Sequence, residues 1–522
     1  MDVLRNYIDL MTNDEARKFL LPSPTEVFIL VATGFTGLCF VLMVGGDRFV
    51  NRVRRLSRTA YDLIGGGDGL SGNLPIIMVA GILGIAAAFF VFSRWEKLFV
   101  ALMLIAFSFA DSTWSLLHYI AFAIKYTIVI YLAAYGAFFV YRNWNRINQP
   151  VHWWVIAYVG WLAFSAVYHG NRVNDIWYFG TQFTLIVAFG IGWMSRVDDI
   201  DKLMEFNILL AYTAVIITGF HMMSPVVAPK IFDGGRYISQ FTNATGFATT
   251  YVLFVISLVW LALAHPSEVI RKAAIPVALI GLGMILLSGT RNATAALACA
   301  IVVLSITFRS KLIFWAIGIG GFGAIVLMLI LGDNETVNDL GSRLGSTRNT
   351  RLELWVVYAR SVVENPIIGW GADGQTGAYY GAWAQEIADN YSSRGFAPGV
   401  HNAILGQAVR FGLVGMGIFL GLFTYAFWRA QKIVLDRGVP QEFKKAYALP
   451  VAILVTLFLE GAFEDNFATP RGSVVNVLYG TMIILVVMFA DKIEARIASG
   501  DLTAEMKKEI APPEPPKKLV RI

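Results

Sequence analysis

The chain has 522 residues, of which 57% are hydrophobic and 15% charged, with a net charge of +6. Soluble domains carry about 25% charged residues, so the composition excludes a soluble globular protein and indicates a polytopic membrane protein. We expect membrane lipids as its surroundings and no nucleic-acid partner. The two cysteines, Cys39 and Cys299, fall within apolar runs, so we expect neither a disulfide nor a thiolate metal site.

Long apolar runs follow one another along the chain. Because bilayer hydrocarbon is ~30 Å thick, each spanning helix needs roughly 20 apolar residues, and such runs favour helices over barrel strands. The predicted spans are 26–46, 75–92, 118–141, 152–168, 178–194, 205–223, 245–264, 273–289, 292–308, 312–332, 403–428, 447–463 and 473–491. The shorter stretch 98–110 is interpreted as a re-entrant or interfacial helix. The predicted fold class is all-α: a polytopic membrane helix bundle of about 13 spans, within a range of 12 to 14.

The segments between the spans give the domain organisation. The predicted parts are an N-terminal segment at 1–25, transmembrane helices with short loops at 26–332, a large outer loop containing helices at 333–402, C-terminal transmembrane helices at 403–491 and a disordered cytoplasmic tail at 492–522. The first segment mixes acidic and basic side chains, so we expect no cleavable signal sequence.

Lysine and arginine in short connections orient the bundle, because they gather on the cytoplasmic side. The connection 429–446 and the tail are rich in both residues, so we place them in the cytoplasm. Alternation then puts five segments outside: 169–177, 224–244, 289–292, 333–402 and 464–472. The arginine-rich connection 47–74 is also cytoplasmic if 98–110 does not span, which places the N-terminus outside.

The outer face is rich in arginine. The loop 333–402 contains five arginines and no lysine. The other outer segments add Arg172, Arg236, Arg291 and Arg471. A planar guanidinium matches phosphate oxygens two at a time, so this face suits a phosphate or pyrophosphate ligand. The alternative is that the arginines pair with the eight acidic residues of the loop.

One helix is predicted inside the loop, from Arg351 to Glu364. Thr350 and Glu353 fit a capping box, and Pro366 ends the helix. Its expected apolar face consists of Leu352, Trp355, Val356 and Ala359. This helix would lie along the outer surface and project Arg351 and Arg360, and a glycine-rich turn follows at 369–374.

The six histidines do not form a metal set, since no pair at helical spacing is accompanied by a carboxylate. His401 is followed by Asn402 and then by an apolar run. A lone histidine at a helix end is usually an interfacial residue, and an asparagine there is usually a cap. Spacing alone therefore leaves the role of His401 open.

Four stretches resemble the O-antigen ligase and O-antigen polymerase superfamily. They are GRYISQFTNATGFATTYVL from Gly235, LLSGTRNATAALA from Leu286, RLELWVVYARSVVENPIIGWGADG from Arg351 and HNAILGQAVRFGLVG from His401. The resemblance is strongest from Arg236 to Gly415. It implies a metal-independent, inverting glycosyltransferase of the helical GT-C type that needs no cofactor. The implied setting is a bacterial inner membrane, with the active site facing the periplasm.

The resemblance also implies the substrates and the site residues. The donor would be a glycan on undecaprenyl diphosphate, and the acceptor a lipid or a glycan. Arg236 and Arg291 would bind the pyrophosphate, with Arg351 and Arg360 in the same basic rim, and His401 would be the catalytic base. Asn402, Arg410 and Arg172 are predicted to support them. Imidazole, with a pKa of about 6.5, suits removal of a proton from a sugar hydroxyl near neutral pH.

The sequence departs from the family pattern at several positions. The usual Ser-Arg-Gly is Thr290-Arg291-Asn292, Ala244 stands where proline is common, and Arg410 replaces a residue that is often acidic. We consider three roles for Arg410. It acts electrostatically on His401, it binds a second phosphate, or it has a structural role, in which it pairs with another residue or extends to the membrane interface. These departures bear on the acceptor more than on the donor chemistry.

The leading functional prediction is an O-antigen ligase that transfers the glycan to lipid A-core. The first alternative is an O-antigen or exopolysaccharide polymerase, which would join lipid-linked repeats and bind the donor in the same way. Transfer to protein or to a polysaccharide primer is a related possibility, and other polysaccharide-assembly proteins are candidate partners. In a lipid-linked oligosaccharide flippase, basic residues would line a path through several helices, whereas here they lie on one face. A scaffold with a binding loop would not need His401.

Overall fold

The computed structural model describes residues 96–114, most of 117–132, 149–169, 173–228, 230–233, 235–309, 351–372, 400–436, 438–465 and 473–499. The chain forms two compact units, Met1–Tyr135 and Gly136–Ile522. In the first unit, helix α1 spans Glu96–Phe109, and further helical residues lie between 117 and 132. All other elements described below belong to the second unit.

Helices dominate the described part of the second unit. They are α2 Pro150–Tyr168, α3 Val173–Gln182, α4 Ile200–Met222, α5 Ser224–Val227, α6 Ala244–Ala264, α7 Glu268–Leu287, α8 Arg291–Phe308, α9 Arg351–Glu364, α10 Ala403–Leu435, α11 Gln441–Phe463 and α12 Val474–Ala498. A π-helix, Phe183–Trp193, and a short 3-10 turn, Met194–Arg196, continue α3. A two-stranded antiparallel hairpin, β1 Phe232–Asp233 and β2 Arg236–Tyr237, lies between α5 and α6.

Eight of the described helices are long and apolar enough to cross a membrane: α2, α4, α6, α7, α8, α10, α11 and α12. The helix α12 has 94% of its apolar window buried and α7 only 22%, so α12 lies in the bundle core and α7 at its periphery. This confirms the predicted all-α polytopic membrane bundle. The predicted spans 26–46, 75–92 and 312–332 lie outside the described residues, as does part of 118–141.

Contacts between the ends of neighbouring elements define two ends of the bundle. One end, here called the site end, is joined by three pairs: His169 Nε2 with Gly369 O at 3.1 Å, Arg236 Nε with Ser288 O at 2.7 Å, and His401 Nδ1 with Glu464 Oε2 at 3.1 Å. The opposite end is joined by Trp260 Nε1 with Lys445 O at 2.8 Å and Gln441 Nε2 with Thr307 O at 2.9 Å. The described parts of the predicted outer segments therefore share one end.

The helix α10 is broken at Gly412, whereas the sequence predicted an unbroken run over 403–428. Gly412 has a φ of 68° and a ψ of −176°. Trp370 N–H donates to Val409 O at 2.9 Å, and Gly371 N–H donates to Arg410 O at 2.8 Å. The segment after α9 thus satisfies carbonyl groups that a helix break would leave without partners inside a membrane.

Two further hydrogen bonds satisfy backbone groups next to the break. Leu413 N–H donates to Pro366 O at 2.7 Å, and the indole of Trp161 on α2 donates to Phe411 O at 2.9 Å. Both contacting segments need a glycine where they meet, Gly412 in α10 and Gly369 in the segment after α9. Gly369 has a φ of 75°, and a Cβ there would lie 2.5 Å from the carbonyl carbon of Arg410. The glycine-rich turn predicted from the sequence is therefore a backbone clamp on α10.

The predicted loop helix is confirmed as α9, with the bounds Arg351–Glu364. Its predicted apolar face is wrong at Val356 and Ala359, which are exposed, and Tyr358 and Val362 are buried instead. These residues form a core cluster with Val400, Ala408 and Val409 of the α10 region. Apolar side chains lie on more than one face of α9, so the partner helix, rather than the pattern alone, selected the buried face. The side chain of Glu353 and all of Thr350 lie outside the described residues.

Candidate active site

His401 and Asn402 stand at the start of α10. Asn402 Oδ1 accepts a hydrogen bond from Leu405 N–H at 2.9 Å, so Asn402 is the N-cap of the helix. His401 has a φ of 47°, in the left-handed region that residues other than glycine seldom adopt. A constrained conformation of this kind is concentrated at functional sites, where the surrounding structure holds it in place.

The imidazole of His401 is paired with a carboxylate. Its Nδ1 lies 3.1 Å from Glu464 Oε2, and the two side chains are 31% and 6% exposed. A carboxylate accepts hydrogen bonds, so in the neutral imidazole Nδ1 carries the proton that it donates to Glu464, and Nε2 has the lone pair. This arrangement fixes the ring and its tautomer, and leaves Nε2 able to accept a proton.

Three acidic residues stand at the end of α11: Glu460, Glu464 and Asp465. Negative charge at the C-terminus of a helix is unfavourable, and burial in a membrane protein adds to that cost. Each of the three meets a polar group from another element. Glu464 meets His401, Asp465 meets Arg410, and Glu460 meets Asn292.

Arg410 lies inside the bundle, where it is 1% exposed. Its guanidinium donates to both oxygens of Asp465, with Nη1 to Oδ1 at 3.2 Å and a shorter bond from Nη2 to Oδ2. Gly406 makes room for this carboxylate, because a Cβ there would lie 2.8 Å from either oxygen. Of the alternatives given for Arg410, the contacts match structural pairing.

Arg236 is held at the start of α8 by neutral oxygen atoms. Its Nε donates to Ser288 O at 2.7 Å and its Nη2 to Thr290 Oγ1 at 2.8 Å. Thr290 in turn donates to Ala244 O at 3.3 Å, which connects two positions where the sequence departs from the family pattern. These acceptors orient the guanidinium and do not themselves cancel its charge.

A buried polar cluster anchors the hairpin that carries Arg236. His221 Nδ1 lies 2.8 Å from Ser239 Oγ, and Tyr237 OH donates to His221 O at 3.0 Å. Ser239 has a φ of 53° and is fully buried. The residues that follow Arg236 are thus fixed to the end of α4.

Arg291 is the first residue of α8 and is exposed. The first backbone N–H groups of a helix lack intrahelical acceptors, and the helix dipole adds partial positive charge there. Arg236, which bonds the residue before Arg291, therefore lies at the same helix start. Two arginines at a helix N-terminus provide a setting for a phosphate-bearing ligand.

The end of α11 is hydrogen-bonded both to the start of α8, where the arginines lie, and to His401. Asn292 Nδ2 donates to Glu460 Oε2 at 2.8 Å, and Glu464 N–H donates to Glu460 O at 2.8 Å. Glu460 and Glu464 are one helical turn apart, a rise of about 5.4 Å. The structure thus brings Arg236, Arg291 and His401 to the site end, on elements joined through the last turn of α11.

The remaining predicted residues are placed less fully. Arg360 is exposed on α9, which packs against the first part of α10. Arg351 begins α9, but its side chain lies outside the described residues, as does all of Arg172. Their predicted part in binding pyrophosphate stays a prediction.

Neither Glu464 nor Asp465 is among the site residues predicted from the sequence, and neither is Glu460. The signal was present, because three acids within six residues, EGAFED, end an apolar span. Intramembrane acids are costly and usually mark a site or a partner.

Residues 275–420 match the family model described as O-antigen ligase. This match confirms the resemblance drawn from the sequence and includes Arg291, Arg360, His401 and Arg410. Arg236 and the acids at the end of α11 lie outside the matched residues. A comparison with curated proteins gave no match.

Proposed function

We propose that this protein is a membrane glycosyltransferase of the O-antigen ligase type, which moves a glycan from undecaprenyl diphosphate to an acceptor hydroxyl. The observation that carries the proposal is the pair formed by His401 and Glu464 at the start of a membrane helix. The end of α11 that carries Glu464 is bonded through Glu460 to the start of α8, where Arg291 lies and Arg236 is held. The reaction proceeds without a metal ion and faces the periplasm of a bacterial inner membrane, with lipid A-core as acceptor.

In the proposed step, the acceptor oxygen forms a bond to the anomeric carbon while the bond from that carbon to the diphosphate oxygen breaks. The hydroxyl proton passes to Nε2 of His401. Glu464 keeps the ring oriented and stabilises the imidazolium that forms. A single displacement from the side opposite the leaving group inverts the anomeric configuration.

The departing diphosphate gains negative charge in the transition state. Arginines held in advance in a partly water-excluded site stabilise that charge more than mobile water does. Arg236 is fixed by Ser288 and Thr290, and Arg291 stands at the N-terminus of α8. These residues take the part that a divalent cation has in other glycosyl transfers.

The position of the site at one end of the bundle suits a lipid-linked donor. The polyprenyl chain stays in the bilayer, while the diphosphate and the glycan lie at the membrane surface. His401 stands directly before Asn402, the N-cap of α10, so in this proposal the base lies where the two regions meet.

Deletion of the gene in the native host, followed by analysis of the surface glycan, tests the proposal. Loss of a ligase leaves long polymer on undecaprenyl diphosphate and a bare core. Loss of a polymerase leaves core bearing a single repeat, and loss of a flippase leaves the donor glycan facing the cytoplasm. Unchanged surface glycan would reject all three.

A further inference from the structure

One hydrogen bond joins the two parts of the candidate site. Asn292 Nδ2 donates to Glu460 Oε2 at 2.8 Å, between the first turn of α8 and the last turn of α11. Glu460 is 2% exposed, so the bond lies inside the protein. Asn292 directly follows Arg291, and Glu460 precedes Glu464 by one turn.

Each helix of this pair carries one half of the proposed chemistry. The start of α8 carries Arg291 and the hydroxyl of Thr290 that holds Arg236. The end of α11 carries Glu464, which orients His401. The base and the diphosphate ligands must act on opposite sides of one anomeric carbon, so their separation matters to the transition state.

Resting on the proposed function, we propose that Asn292 and Glu460 are positioning residues that set the distance between the diphosphate-binding arginines and the His401 base. Neither residue touches the reacting atoms. Their bond fixes the register of α8 against α11 at the level of the site. A misplacement of about 1 Å between reacting groups can lower a rate about 100-fold.

The chemistry of the pair argues against a purely packing role. The helices α8 and α11 contact each other along their length, so one bond is not needed to hold them together. A buried carboxylate near a membrane is costly, and an apolar residue would pack there more cheaply. A different bond attaches α11 at the opposite end, from Asn207 Nδ2 to Ala446 O at 2.6 Å. It offers a matched control, because in both bonds an asparagine side chain donates to α11.

The experiment measures kcat and the donor KM of the purified protein in lipid nanodiscs that contain saturating lipid A-core as acceptor. The signal is the undecaprenyl diphosphate released when the glycan is transferred from a lipid-linked donor extracted from the host. Asn292→Ala removes the bond and is expected to lower kcat about 100-fold while the donor KM stays unchanged. Glu460→Gln keeps an oxygen that accepts from Asn292, so it should retain most of kcat. The double variant N292D/E460Q reverses donor and acceptor, and should also retain most of it.

The control is Asn207→Ala, which is expected to lower thermal stability and leave kcat unchanged. If Asn207→Ala lowers kcat as much as Asn292→Ala does, general loosening explains the loss and the inference is overturned. It is also overturned if Asn292→Ala keeps full kcat, or if N292D/E460Q is as slow as Asn292→Ala. An inactive wild-type protein would instead reject the proposed function, so the two failures are distinguishable.

Discussion

Two arginines at the site end, Arg236 and Arg410, are held in different ways. At the start of α8, a backbone carbonyl and a threonine hydroxyl accept hydrogen bonds from Arg236. Inside α10, the acceptor of Arg410 is the carboxylate of Asp465, and the pair is buried. A neutral acceptor orients a guanidinium, whereas a carboxylate also neutralises it.

This difference separates a binding role from a structural role. The carbonyl and the hydroxyl orient Arg236 without themselves neutralising it, which suits attraction of an anionic ligand. Arg410 is bound at both nitrogens of its fork, which suits the internal support of α10 next to its break. The following substitutions test that separation.

The largest expected effect is that of His401→Ala. Removal of the proton acceptor should lower the rate of glycan transfer by about 10²–10⁴-fold. The rate is measured as release of undecaprenyl diphosphate, and the amount of protein in the membrane fraction should not change. Near-normal transfer by this variant would show that His401 is not the base.

The next effect is that of Arg236→Lys. Lysine keeps the charge but has one nitrogen in place of the planar guanidinium fork, so it cannot use Nε and Nη2 for Ser288 and Thr290 while the remaining N–H groups face a phosphate. We therefore expect kcat to fall by about 10²–10³-fold, as for loss of a donor that stabilises developing charge. The matched control is Lys230→Ala, an exposed cation near the same hairpin that pairs with Asp233. Equal losses in the two variants would indicate general attraction of an anion rather than an oriented ligand.

Substitution at Arg410 should act on stability. Arg410→Met leaves Asp465 as a buried charge without its partner, which is expected to lower the free energy of unfolding by about 3–5 kcal/mol. The double variant R410M/D465N should recover most of that loss and retain transfer activity. Stability is measured by thermal unfolding in detergent. A double variant that is stable but inactive would assign Arg410 to substrate binding and remove the contrast with Arg236.

The smallest expected effect is that of Asn402→Ala. Loss of the N-cap bond to Leu405 should lower stability by about 1 kcal/mol. Asn402→Ser keeps a capping oxygen and should restore both stability and transfer. If Asn402→Ser folds normally but transfers glycan slowly, the side chain of Asn402 contacts a sugar.

Much of the fold was predictable because its signals are local. The helix α9 begins and ends where the sequence predicted, since Pro366 disfavours its continuation. The described parts of the predicted outer segments meet at one end because consecutive spans alternate in direction. The break at Gly412 was not predicted, since a glycine in an apolar run is common and its partners lie more than 40 residues earlier, at Pro366–Gly371.

The candidate site was predictable in part. His401, Arg236 and Arg291 were selected through a family resemblance and through the excess of arginine on one face. Their partners were not, because Glu464 is 63 residues from His401 along the chain and Asp465 is 55 residues from Arg410. No periodicity within a single helix relates residues so far apart.

The sequence by itself determined that this protein is a bundle of membrane helices, because long apolar runs in a bilayer must satisfy their own backbone hydrogen bonds. It also determined that Asn402 can cap α10, because a capping side chain reaches an amide three residues away. The tertiary structure alone decided which charged groups meet. Ion pairs and shared hydrogen bonds depend on how α8, α10 and α11 pack, and that packing joins His401 to Glu464 and Asn292 to Glu460.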